Sequence, residues 1–222
     1  MCSARTALSA TRGRQHAGCL LQLGPRRGCD RGGMSRQPDM PGWVVPAPVE
    51  LRDLVCLAFR HHAAHGTREA AGIVAVAGWL RGQQPAPVTA RSNGAEVRDV
   101  ALVELCAAEC LVDDGRPPPP LHDVCQLLEV AYRKPVDVDP GFARGVWLAL
   151  RWVLGQESRP PLDLPIRRPD GAVMGEVEIY AELVSRGEPA PTARAAAKAL
   201  AADSLRLAAL VEETAANMPD YI

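Results

Sequence analysis

Beyond residue 48, apolar residues recur every three to four positions, and proline and glycine clusters interrupt them. This is the pattern of helices joined by short loops. The first periodic segment, 49–65, stops at Gly66, and Thr67 stands where a helix N-cap is expected. The run REAAGIVAVAGWLR predicts a second helix ending at Gly82, just past the last turn, where left-handed backbone favours glycine. Pro85, Pro87 and an Asn93-Gly94 turn signal separate it from a third helix over 95–112. Pro117 to Pro120 read as a stiff extended linker that can start a fourth helix, 120–133, ended by Pro135. Asp139 with Pro140 opens a fifth, 141–154, stopped at Gly155. In the irregular stretch 156–173, Ile166 and Ala172-Val173 flank a Pro169-Asp170-Gly171 turn as a minimal hairpin. A sixth helix is predicted over 175–186 and a last one over 192–217. No strand set long enough for a sheet emerges, so the expected class is all-α. It comprises a six-helix body over 41–187 and a C-terminal amphipathic helix within 188–222.

The body contains an internal echo. Gly72, Trp79 and Gly82 align without gaps on Gly145, Trp152 and Gly155 at an offset of 73 residues, with Pro87 on Pro160. Each copy follows a segment opening L-x-D-[LV], at Leu51, Asp53 and Leu54 and again at Leu121, Asp123 and Val124. The expectation is a tandem duplication of a three-helix unit, over 49–112 and 120–186. In it the first glycine admits a close backbone, the tryptophan fills the core and the second glycine ends the helix.

Composition changes the picture at one end. Residues 1–40 carry seven arginines against two aspartates, whereas the rest carries 18 basic and 24 acidic residues, so a net of −1 conceals +5 beside −6. The first forty residues show no periodicity and are rich in Gly, Arg and Ser. The segment is expected to be a disordered basic arm, or an upstream stretch that is not translated if synthesis starts at Met34 or Met40. Only Lys134 and Lys198 of the 25 Lys and Arg residues are lysine. With abundant Ala, Gly and Pro, that points to the codon bias of a high-GC bacterium. The longest apolar run, Ala70 to Leu80, is 11 residues, too short to span a bilayer, so no membrane association is expected.

Candidate chemistry is sparse. His61 and His65 are spaced i, i+4 at the end of the first helix, and Cys106 and Cys110 repeat that spacing on the third. Together with Cys125 they are the candidate ligands of a zinc site between helices. No C-x2-C pair accompanies them, and small thiols inside apolar runs such as ELCAAECLV and LVCLAF (with Cys56) otherwise serve as core residues. No cofactor is expected on this reading. Leu200, Leu207, Leu210, Val211 and Met218 predict an apolar stripe on the last helix, which docks on the body or pairs with a partner helix. The same helix has loose helix-turn-helix spacing, but Arg194, Lys198 and Arg206 make a sparse recognition surface, so nucleic acid is not the expected partner.

No phosphate loop, nucleophile elbow or nameable catalytic set is found. The expectation is a cytoplasmic, non-enzymatic protein–protein interaction or adaptor module. The alternatives are a metal-binding protein using the His and Cys set, and a DNA-binding regulator acting through the C-terminal helix.

Overall fold

The computed structural model describes residues 40–112 and 120–218. The expectations for the basic arm and for Pro117 to Pro119 therefore lie outside the described residues. Among the described residues the chain forms seven helices: α1 (Pro48–His65), α2 (Arg68–Leu80), α3 (Arg98–Glu109), α4 (Leu121–Leu127), α5 (Pro140–Val153), α6 (Glu176–Ser185) and α7 (Ala190–Ala216). The hairpin exists as a single antiparallel bridge, Arg167 with Val173. Hydrogen bonds from Arg168 N to the Ala172 carbonyl (2.8 Å) and from Met174 N to the Ile166 carbonyl (2.8 Å) close it. The fold is all-helical, and no described helix is long and apolar enough to cross a membrane.

Helix starts follow from local chemistry. The Asp139 carboxylate accepts from Gly141 N at 2.8 Å and Phe142 N at 3.2 Å, capping α5 with Pro140 in its first turn. At α1 and α6 a glutamate in the first turn does the work instead. Glu50 accepts from Ala47 N and Glu178 from Gly175 N, each at 2.8 Å. Thr67 occupies the N-cap of α2, as expected, but its hydroxyl does not cap; it faces His61 Nδ1 at 3.2 Å.

The ends of α2 and α5 share one geometry. After α2, Gly82 (φ 67°) donates to the Trp79 carbonyl and Gln83 N to that of Gly78; after α5, Gly155 (φ 73°) donates to Trp152 and Gln156 N to Arg151. These paired bonds satisfy carbonyls the helix leaves open.

The two glycine-marked helices form the centre. α2 packs on α5, α1 on α2 and α7, α3 on α5 and α4, and α6 on α7. The main core joins Leu54 of α1, Ile73, Val76 and Trp79 of α2, Val103 of α3, and Val146, Leu150 and Trp152 of α5. A second cluster puts Val211 of α7 against Cys56 and Leu57, and a third puts Ala197 and Ala201 against Ile179.

Gly72 and Gly145 are the crossing point of α2 and α5. A Cβ on Gly145 would overlap the Glu69 carbonyl, lying 2.7 Å from its carbon. One on Gly72 would overlap the Phe142 carbonyl oxygen and lie 2.9 Å from Val146 N. The echoed positions thus play matching parts, but a duplication of whole three-helix units is not confirmed. α1 has 18 residues and α4 has seven, and α3 packs on α5 and α4 while α6 packs on α7.

The leucine stripe of the last helix differs from expectation. Val211 and Met218 are buried, Leu207 and Leu210 are half-buried, and Leu200 is exposed. The buried positions of α7 are mostly small, Ala193, Ala197, Ala201, Ser204, Val211 and Thr214, with Leu207 and Leu210 packed beside Val211.

Candidate functional site

Each candidate group is placed by its helix. The rings of His61 and His65 meet edge to face, 4.9 Å between centroids, one turn apart at the end of α1. His62 Nδ1 lies 3.0 Å from the Thr67 carbonyl, tying that helix end to the next. Cys106 and Cys110 lie side by side at the end of α3, and Cys125 is buried in the same core from α4. Among the described residues no three His, Cys, Asp or Glu side chains come together as a metal-holding group, and no disulfide forms. Burial, reinforced by the neighbouring Cys110, pushes the Cys106 thiol up to about 12. Burial between α1 and α7 pushes Cys56 up to about 11. Such thiols carry almost no thiolate at neutral pH and act as packing groups.

Three charged groups are buried, Asp53, Arg91 and Glu104, and the sequence reading named only Asp53, as part of the internal echo and not as a buried charge. Glu104 on α3 has no exposed surface. It accepts a short hydrogen bond from Val88 N, one from the Thr89 hydroxyl at 2.6 Å and one from Thr89 N at 3.2 Å. It therefore fastens the 84–97 loop over the core. Burial raises its carboxyl above the ordinary value, and the hydroxyl and amide donors only partly offset this. Arg91 in that loop donates to the Ala131 carbonyl.

Asp53 on α1 grips Arg167 of the hairpin through two bonds, at 2.5 and 2.9 Å, and Arg167 also donates to the Gly171 carbonyl at 2.8 Å. Asp53 holds Arg167 protonated and raises its pKa above the ordinary value. A signal for both acids was present: each is a lone carboxylate inside an apolar period (DLVCLA, LVELCA).

Concave surface gathers around the 156–166 loop. A hollow of about 600 Å³ lies between that loop and the middle of α7, floored by Trp152, Leu164 and Leu207 and edged by Arg159, Arg167 and Arg206. A second, of about 380 Å³, lies between the end of α1 and α7. It contains His61 and His65, and it shares Asp163, Arg206 and Leu207 with the first. The histidine pair is therefore set in a groove that Cys106, Cys110 and Cys125 do not line. No family model, curated protein or solved structure matches this chain.

Proposed function

We propose that this chain is a non-enzymatic interaction module, an adaptor that takes a segment of a protein partner along the edge of α7. The observation that carries the reading is the pair of adjoining hollows, whose shared wall is Asp163, Arg206 and Leu207. Half-buried leucines beside exposed charged side chains are the composition of a recognition groove.

Selection from a displayed random-peptide library tests it. Enriched peptides should lose binding to Leu207→Glu and Leu210→Glu and keep it to Leu205→Glu, a change at an exposed leucine outside both hollows. Failure to enrich any peptide class overturns the reading. Two other readings have their own discriminators. Near-stoichiometric metal in untagged protein would favour a His/Cys metal site. Salt-sensitive DNA retention that is lost on deleting 192–211 would favour a DNA-binding regulator.

A further inference from the structure

We infer that the segment received in the α1–α7 groove is an acidic amphipathic helix. This rests on the interaction reading above and names the partner's chemistry. The hollow has an apolar floor of Leu57, Ala64, Leu162, Leu207 and Leu210. Around it stand two guanidiniums, Arg60 and Arg206, and two imidazoles, His61 and His65, against one carboxylate, Asp163. Asp163 is itself held by Arg159 at 3.3 Å on the loop.

The partners of the two guanidiniums do not line this hollow. Arg60 reaches Glu213 at 2.9 Å and Arg206 reaches Asp203 at 3.3 Å. Both pairs are solvent-exposed, with side-chain exposures of 42%/60% and 64%/63%. Exposed pairs of this kind contribute little, so a ligand carboxylate exchanges for the internal one at small cost. The lining of this hollow thus presents two guanidiniums against one carboxylate above an apolar floor, with Glu213 and Asp203 standing outside it.

Shape favours a helix. Two helices wall the groove, and the edge of α1 from Leu57 to His65, which lines this hollow, is about 12 Å long, matching about eight residues of helix. Apolar side chains at i, i+3 or i+4, and i+7 would meet the leucines, with glutamates or aspartates flanking them toward Arg60 and Arg206.

Two synthetic peptides of about 14 residues test this on the full chain. One carries leucine at i, i+3, i+4 and i+7 with glutamate on its other face, and the second replaces every glutamate by lysine. Binding is read by fluorescence anisotropy. The acidic peptide should bind at least about tenfold more tightly at low salt, and added salt should shrink the difference. Arg206→Glu, an exposed change whose fold is checked by circular dichroism, should weaken the acidic peptide about fivefold and strengthen the lysine one. Equal binding of the two, or preference for lysine, overturns the acidic assignment and leaves the interaction reading standing. Binding of neither overturns the inference, and the library selection then decides the interaction reading separately.

Discussion

At Gly145 a methyl group would occupy the place of the Glu69 carbonyl, which is backbone and has no rotamer to yield with. Gly145→Ala is therefore expected to destabilise the protein by about 2–4 kcal/mol, at or beyond the usual cost of overpacking a core. Gly42→Ala, where nothing lies within 4 Å, should cost little. Urea denaturation of both variants checks the contrast. Glu104 supplies a pH-dependent counterpart. Folding raises its pKa, so its contribution to stability is fully present below its ordinary value of 4.5 and declines as pH rises through the folded value. Glu104→Gln has nothing to titrate there. Wild-type stability minus that of the variant should fall as pH rises above 4.5, as read from urea midpoints at a series of pH values. A flat difference would contradict the assignment.

Among the elements, helix positions were legible wherever a glycine or a capping aspartate marks an end, as at Gly66, Gly82, Asp139 and Gly155. The fourth helix, expected over 120–133, stops at Leu127 because Glu129 takes the left-handed position usually given to glycine. With φ 54° there, Glu129 N bonds to the Gln126 carbonyl and Val130 N to that of Cys125. A glutamate carries no stop signal, so the apolar pattern of Leu128 and Val130 overran the true end. The third helix was drawn too long for a related reason. Val97 N bonds back to the Gly94 carbonyl, and Leu111 N and Val112 N bond three residues back, so a turn leads in and a tightened turn leads out. In α7 the leucines misled because alanine is nearly neutral in an apolar count, yet it is alanine that lets α7 lie close to α6. Ala197→Leu, at a position with no exposed surface, should destabilise by about 1–3 kcal/mol. Leu200→Glu, at an exposed one, should stay within about 0.5 kcal/mol. Thermal melts of the two variants provide the comparison.

For the molecule as a whole, two ion pairs join residues far apart in the chain. Asp53 and Arg167 are 114 residues apart, and Arg52 and Glu212, joined at 3.0 and 3.2 Å, are 160 apart. The first pair is almost fully enclosed, with side-chain exposures of 9% for Arg167 and 1% for Asp53. Removing one partner strands a buried charge, so Asp53→Ala should cost about 3–5 kcal/mol, whereas an apolar pair at both positions, Asp53→Leu with Arg167→Met, should recover most of it. Arg52→Ala, at a half-buried arginine whose partner Glu212 is exposed, should cost under about 1 kcal/mol. Denaturant titration of the three separates the cases. None of these long-range partners was readable from residue spacing. Periodicity reports what lies on one face of one helix, and the acids at 53 and 104 declare only that something must satisfy them. The hollows follow the same rule, since their walls come from α1, the 156–166 loop and α7, which meet only in three dimensions.

The seating of α7 on α1 also bears on how the chain is made. The face of α1 holding Cys56 and Leu57 is covered by Val211, and Arg52 waits for Glu212, 160 residues later. At ribosomal speed that interval is on the order of ten to thirty seconds. Throughout it the nascent chain presents an uncovered apolar strip with no native cover yet synthesised. A transcript truncated before α7 would leave that strip open for good, giving a product that clusters with its own copies or is held by chaperones rather than released as a smaller working protein.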